Sequence, residues 1–298
     1  MDGKRKASFM ATGPQKSLRH RITRMRRWAE WKMRRVSSHL RVLPDFLIIG
    51  TMKGGTTSLY DYLCRHEKVE VAFRKEVHYF DGNYTRGTQW YRGNFPTHQQ
   101  MQRLGQGALT GEATPYYLYH QAAAERIAGV VPRASLIAVL RDPADRAISH
   151  YFHSLRTGMD TRPIGQAFAE ESQYVQAEEQ RVLRDDYTSD QHRMWSYVAR
   201  GHYAQQLEEY FKRFSREQML VLKSEELFAD PQGVVTEVTD FLGIEPVELT
   251  DVEVLNAGTY SKSDSSEVEQ VRKELRDYFE PYNQKLSELL NRDFMWAG

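Results

Sequence analysis

The sequence predicts an α/β fold with a mostly parallel central sheet flanked by helices on both faces. Three observations carry it: short apolar runs of the kind found in strands buried on both faces, helical segments alternating with those runs, and a glycine-rich turn joining the first run to a helix.

A basic arm, residues 1–43, comes first. Through residue 41 it holds 13 of the 41 Lys and Arg but only two acids, Asp2 and Glu30, so it carries +11 and the remainder −10, although the formal net charge is +1. Leu18, Ile22, Met25, Ala29, Met33, Val36 and Leu40 recur at spacings of four and three, the period of one helical face, with Trp28 and Trp31 beside the stripe. A basic amphipathic helix over residues 15–41 suits an anionic membrane surface. A helix packed on the body or on a second subunit fits the pattern equally well. Nucleic acid is the least favoured partner, because the arm carries no recognisable base-reading module.

The body, residues 44–298, opens at Pro44 and reads as one domain. Asp45 to Ile49 (DFLII) predicts a strand, Gly50 to Thr57 a turn, and Ser58 to His66 a helix. Further strands are expected at Ala108 to Gly111, Leu136 to Leu140 (LIAVL) and Met219 to Leu222 (MLVL). Helices are expected around Tyr116 to Ala128, Ala144 to Arg156, Tyr203 to Arg213 and Val234 to Leu242, and a last one at Glu267 to Leu290, interrupted near Pro281. Cys64 is the only cysteine, so no internal disulfide forms, and no apolar run is long enough to span a bilayer. With no secretory signal visible, a cytoplasmic protein is expected, peripheral at the inner membrane surface if the arm binds there.

Two motifs sit at carboxyl ends of strands, where ligands of open α/β sheets collect. In Gly50-Thr-Met-Lys-Gly-Gly-Thr-Thr57, Gly54 and Gly55 let the backbone approach an anion, the following helix N-terminus adds partial positive charge, Thr56 and Thr57 offer hydroxyls, and Lys53 adds a full charge. It is not the nucleotide-hydrolase P-loop, because the lysine precedes the paired glycines and none follows; a metal is not implied. The bland alternative is a ligand-free turn. In Arg141-Asp-Pro-Ala-Asp-Arg-Ala-Ile-Ser149, Pro143 suits a first helical turn, Asp142 can cap it, and Arg141 and Ser149 can converge on one phosphate. Here the alternative is Arg141 paired structurally with Asp142 or Asp145.

Together these stretches resemble the sulfotransferases that use 3'-phosphoadenosine-5'-phosphosulfate (PAPS), in particular the branch containing the heparan sulfate glucosaminyl enzymes and their bacterial relatives. The resemblance runs through most of the chain from Pro44 to Trp296. It implies the P-loop-like sulfotransferase fold, with Lys53, Gly54, Gly55, Thr56 and Thr57 holding the 5'-phosphosulfate and Arg141 and Ser149, eight positions apart, holding the 3'-phosphate. The segment Lys75-Glu-Val-His-Tyr-Phe-Asp81 is similar to the one in which the glycan branch keeps its base. The resemblance assigns Glu76 as general base, with His78 and Asp81 near the acceptor; His78, whose ordinary pKa is nearer neutrality, is the rival base, and a Glu76–Lys75 surface pair is the bland reading. Lys262, in Asn256-Ala-Gly-Thr-Tyr-Ser-Lys262, falls in a late loop that closes over the donor in the family.

The implied activity is metal-independent sulfuryl transfer by in-line displacement to a hydroxyl or amine of a small-molecule, lipid-linked or saccharide acceptor, releasing adenosine 3',5'-bisphosphate. An acidic polysaccharide fits less well, because Ala113 in Glu112-Ala-Thr-Pro115 stands where heparan-specific relatives tend to have lysine, and the body is mildly acidic. Two other classes stay open: a nucleotide or small-molecule kinase, and a non-catalytic adaptor binding membrane or nucleic acid through its arm.

Overall fold

The computed structural model describes residues 14–184, 187–250 and 266–296, with side chains from residue 23 onward. Helix α1 (Pro14–Val36) precedes β1 (Phe46–Gly50), α2 (Thr56–Leu63), β2 (Val69–Val71), α3 (Gly87–Arg92), α4 (His98–Leu104) and β3 (Leu109–Ala113). After these come α5 (Ala123–Val130), β4 (Ser135–Leu140), α6 (Pro143–Thr157), α7 (Ile164–Glu179), α8 (Asp190–Met194) and α9 (Tyr203–Phe211). The chain continues through β5 (Met219–Lys223), α10 (Ser224–Ala229), α11 (Pro231–Leu242) and α12 (Ser266–Leu290).

The sheet is parallel throughout, in the order β2-β3-β1-β4-β5. The central strands β1 and β4 read as apolar runs because each of their faces meets a core. Leu47 and Ile49 of β1 join Leu136, Ala138 and Leu140 of β4 in one core, while Phe46 and Ile48 join Ile137 and Val139 in the other. That is the period of two a strand imposes, and each such side chain contributes roughly 1.5–3 kcal/mol by leaving water. β1 is followed by the strands on one side of it, and β4 and β5 lie on the other. The switch point is therefore the crevice beyond the carboxyl ends of β1 and β4, where both anion motifs emerge.

Several local expectations change. β2 is a three-residue edge strand too short to show a period, and it and helices α3, α4, α7, α8 and α10 were not anticipated. The stretch from Tyr116 to His120 is a turn rather than the start of a helix, because Thr114 and Leu118 donate their amides to Ile48 and Ile49 carbonyls and extend the edge of β1; helix α5 begins at Ala123. Helix α12 runs unbroken through Pro281, held across that point by Phe279 and Leu286 in the interior. The late loop containing Lys262 lies outside the described residues.

The arm helix packs on the body. Trp31 stacks on Phe73 at 5.7 Å and meets Trp90 edge-on, and Arg34 donates to the carbonyls of Gly93 and Phe95. Met25, Trp28, Met33 and Val36 of the helix stay exposed. No helix among the described residues is long and apolar enough to cross a membrane.

Candidate active site

The loop between β1 and α2 is moulded by contact with β4. Thr51 donates its amide to the Val139 carbonyl at 2.9 Å, and a Cβ on Gly54 would stand 2.4 Å from that same oxygen, so only glycine lets the loop lie this close. Gly55 (φ +95°) caps α2 without supplying a side-chain acceptor, and Lys53 adopts φ 71°, an uncommon conformation for a residue with a side chain. The amides of Thr56 and Thr57, at the start of α2, thus keep their donors for an external anion. Thr57 is partly engaged, its hydroxyl accepting from Lys75 Nζ at 2.8 Å.

The second motif is joined to the first. Arg141 Nη1 donates to the Lys53 carbonyl at 3.4 Å, and Tyr203 holds the Arg141 carbonyl at 2.9 Å. The structural pairing with Asp142 or Asp145 does not form. Asp142 caps α6 through the amides of Ala144 and Asp145, and Arg272 and Arg276 of α12 take both acids instead. Ser149, two turns into α6, is buried, and its hydroxyl has no hydrogen bond among the described residues. Burial, then the nearby charges of Arg156 and Arg141, lower the Lys53 ammonium below its ordinary pKa. Among the described residues none of Lys53, Arg141 and Arg156 forms an ion pair. Positive charge is thus gathered in the crevice without a resident acid to offset it.

Across from the donor loop stands a carboxylate–imidazole–carboxylate array. His78 Nδ1 lies 2.5 Å from Asp81 Oδ2 and its Nε2 3.5 Å from Glu76 Oε2. Burial opposes charge on His78, but the bonds to Asp81 and Glu76 outweigh it and push its pKa up to about 9. The His78 hydrogen bond in turn holds Glu76 below the usual carboxylate range, against burial. At neutral pH the imidazole is cationic and Glu76 is the ionised group, so His78 is poorly placed to accept a proton. Lys75 reaches Thr57 rather than Glu76, so the surface pair is not what orders this segment.

Glu76 and His78 both have positive φ, 55° and 53°, which costs of order 1–3 kcal/mol each and persists only where the surroundings impose it. Glu112 imposes it. Fully buried on β3, it accepts from Thr114 (2.6 Å), Tyr91 (2.7 Å), Tyr117 (3.1 Å) and the amide of Val77 (3.2 Å), the residue between the two strained ones. Tyr117 also accepts the Tyr79 amide at 2.8 Å.

The fold therefore brings Lys53, Gly54, Gly55, Thr56, Thr57 and Arg141 to one crevice, with Ser149 on the helix that Arg141 introduces. Two residues not anticipated join them. His153 and Arg156 follow Ser149 at i+4 and i+7 on α6, and burial, then Lys53 and Arg156, lower the His153 pKa while Glu76 raises it. That spacing was readable as soon as Ser149 was taken as a ligand. The anchoring role of Glu112 had no sequence signal, because two of its four donors, Tyr91 and the amide of Val77, come from distant parts of the chain.

A parallel α/β sheet with an uncapped glycine loop and unpaired cations at its switch point defines a protein that binds an anionic nucleotide-like donor, next to a carboxylate suited to removing a proton. The sulfotransferase domain model matches residues 43–285, and the chain belongs to that family. It is similar to the membrane-associated sulfotransferase kil1 of Dictyostelium discoideum (28% identity, over 88% of this chain and 68% of that protein). It is likewise similar to mouse heparan sulfate glucosamine 3-O-sulfotransferase 3A1 (32% identity, over 86% of this chain and 65% of that protein). The chain thus spans about two thirds of the length of both relatives. A solved sulfotransferase from Alicyclobacillus acidocaldarius superposes with a TM-score of 0.60 at 30% identity, covering 85% of this chain and 97% of its own. The chain is an enzyme of sulfuryl transfer, and the family implies PAPS as donor.

Proposed function

We propose that the chain moves the sulfuryl group of PAPS to a hydroxyl of a saccharide or small-molecule acceptor, with Glu76 as base and Lys53 at the leaving oxygen. PAPS supplies the sulfuryl group and leaves as adenosine 3',5'-bisphosphate. The residues fit it: the free α2 amides, Thr56 and Thr57 suit the 5' end, and Arg141 with Ser149 suits the 3'-phosphate. Glu76, kept ionised by His78, takes the proton of the attacking hydroxyl as its oxygen bonds to sulfur and the bond from sulfur to the nucleotide oxygen breaks. Lys53 offsets the charge growing on that oxygen. His78 orients Glu76 and is itself held by Asp81. The reading requires no metal, and Lys262 is placed with the donor by resemblance alone.

One observation supports this most: Arg141 bonds the backbone of Lys53, so both cationic motifs serve a single crevice. Adenosine 3',5'-bisphosphate at a hundredfold excess over its Kd should stabilise the protein by about 2.7 kcal/mol, a shift of several degrees in melting temperature. Protection by ATP with Mg²⁺ instead would favour a kinase and overturn the reading.

The arm is assigned to an anionic membrane, at the cytoplasmic surface. Its Met25, Trp28, Met33 and Val36 stay exposed while Trp31 docks, and from Arg24 to Arg35 Glu30 is the one acid among six basic residues. Wild-type protein should sediment with anionic vesicles and not with zwitterionic ones, and Trp28→Ser with Val36→Ser should abolish it. Equal partitioning of both proteins refutes the assignment.

A further inference from the structure

Residues 51–53 of the donor loop are gripped one after another from three places in the fold. Thr51 donates its amide to Val139 of β4, the Met52 sulfur accepts from Arg200 Nη1 at 3.3 Å, and the Lys53 carbonyl accepts from Arg141. Lys53 has φ 71°, and such a backbone persists only where its surroundings over-determine it. The grip on Met52 comes from outside both anion motifs.

Arg200 lies in the short turn Ala199–Gly201 and is buried, yet its guanidinium forms no ion pair among the described residues. Its Nε donates to Ser196 Oγ at 2.8 Å and its Nη2 to the Arg193 carbonyl, so the segment that carries it fixes two arms of the fork. The third arm, Nη1, is the one on Met52. The guanidinium also lies over Tyr116 and Tyr119, its Cζ 4.8 and 5.1 Å from their ring centroids. The turn is itself anchored, because Glu171 of α7 accepts the amides of Val198 (2.6 Å) and Ala199 (2.8 Å). Three residues beyond Arg200, Tyr203 holds the Arg141 carbonyl. The contacts close a ring: Met52 to Arg200, along the chain to Tyr203, across to Arg141 and back to Lys53. Packing alone does not call for a cation here, since a buried charge with no acid beside it is destabilising. A planar fork supplies what an apolar side chain lacks, directed donors that tie two segments together.

We infer that Arg200 is a positioning residue of the donor site: it holds Met52, and through it the left-handed Lys53, in the conformation that receives the 5' end of the donor. The inference rests on the PAPS reading and extends it to a side chain outside both anion motifs.

Calorimetric titration of the full chain with adenosine 3',5'-bisphosphate and with adenosine 5'-phosphate tests it. Arg200→Lys keeps a cation but loses the fork. It should weaken both ligands about tenfold, the loss of one hydrogen bond to a charged group, because the loop serves the 5' end they share. Met52→Leu removes the sulfur, a weak acceptor, at similar volume and should weaken both about threefold. The double variant should be no weaker than Arg200→Lys alone, since both changes break the same contact. Unchanged affinity in a folded Arg200→Lys overturns the inference, as does a double variant about thirtyfold weaker, the product of two independent effects. A loss confined to the bisphosphate overturns it too, by moving Arg200 to the 3' end. If Arg200→Lys does not fold, Met52→Leu decides: weakening of both ligands supports the inference, and wild-type affinity overturns it. Wild-type protein that adenosine 3',5'-bisphosphate fails to protect against unfolding removes the donor reading and this role with it, whereas protection with unmoved variants counts against Arg200 alone.

Discussion

Glu76→Gln lowers kcat by about 10²- to 10⁴-fold while leaving affinity for adenosine 3',5'-bisphosphate nearly intact, the range general-base removal usually costs. Glutamine keeps the shape of the side chain and an acceptor oxygen toward His78 Nε2, so the loop that Glu112 anchors has no reason to collapse. What it lacks is a site for the proton released as sulfur is attacked. The pH profile distinguishes this from damage to the fold. The His78 hydrogen bond holds Glu76 below the ordinary carboxylate pKa, so the base stays ionised to lower pH than a free glutamate. The acid limb of kcat/KM should therefore fall below about pH 4.5, the unperturbed carboxylate value, and should vanish from the residual activity of the variant. A Glu76→Gln enzyme with wild-type kcat would move the base elsewhere, and His153, which feels both Lys53 and Glu76, is the residue to examine next.

The donor half of the site was legible because its parts are local. A buried strand, a glycine turn and a helix start are adjacent in sequence, and the same physics that closes the turn leaves amides free for an anion. Arg141 and Ser149 were legible for the same reason, since a strand end followed by Asp-Pro specifies the helix that carries the serine. The base segment was legible as residue types and not as geometry. That His78 sits between two carboxylates, and so is cationic, follows from a backbone with φ near 55° at two positions. That backbone is enforced by Glu112, which lies just past the strand expected at Ala108 to Gly111 and carried no role in the sequence reading. The arm shows the converse. Its period predicted an amphipathic helix correctly, but Trp31, on the side of the stripe, is the docked residue, because Phe73, Trp90 and Gly93 form a seat that no local pattern announces.

Arg141→Ala should weaken adenosine 3',5'-bisphosphate by about 2 to 4 kcal/mol, roughly 30- to 700-fold, as expected when one partner of a buried charge-assisted contact is truncated. The size of this loss follows from what Arg141 does without a ligand. Among the described residues its guanidinium makes one hydrogen bond, to the Lys53 carbonyl, and no ion pair with an acid, so its charge is committed to the donor and not to the fold. The substitution should accordingly cost little stability in the absence of nucleotide, and removing a neighbouring cation should let the Lys53 ammonium rise toward its ordinary pKa. Ser149→Ala, which removes a single neutral donor, should cost about 1 kcal/mol at the same phosphate. Calorimetric titration of the two variants with adenosine 3',5'-bisphosphate and with adenosine 5'-phosphate separates the pockets. If Arg141 meets the 3'-phosphate, its loss weakens the bisphosphate and leaves the 5'-phosphate's affinity almost unchanged. Equal weakening of both ligands would mean that Arg141 acts by shaping the Lys53 loop, and the assignment of a separate 3' site would fail.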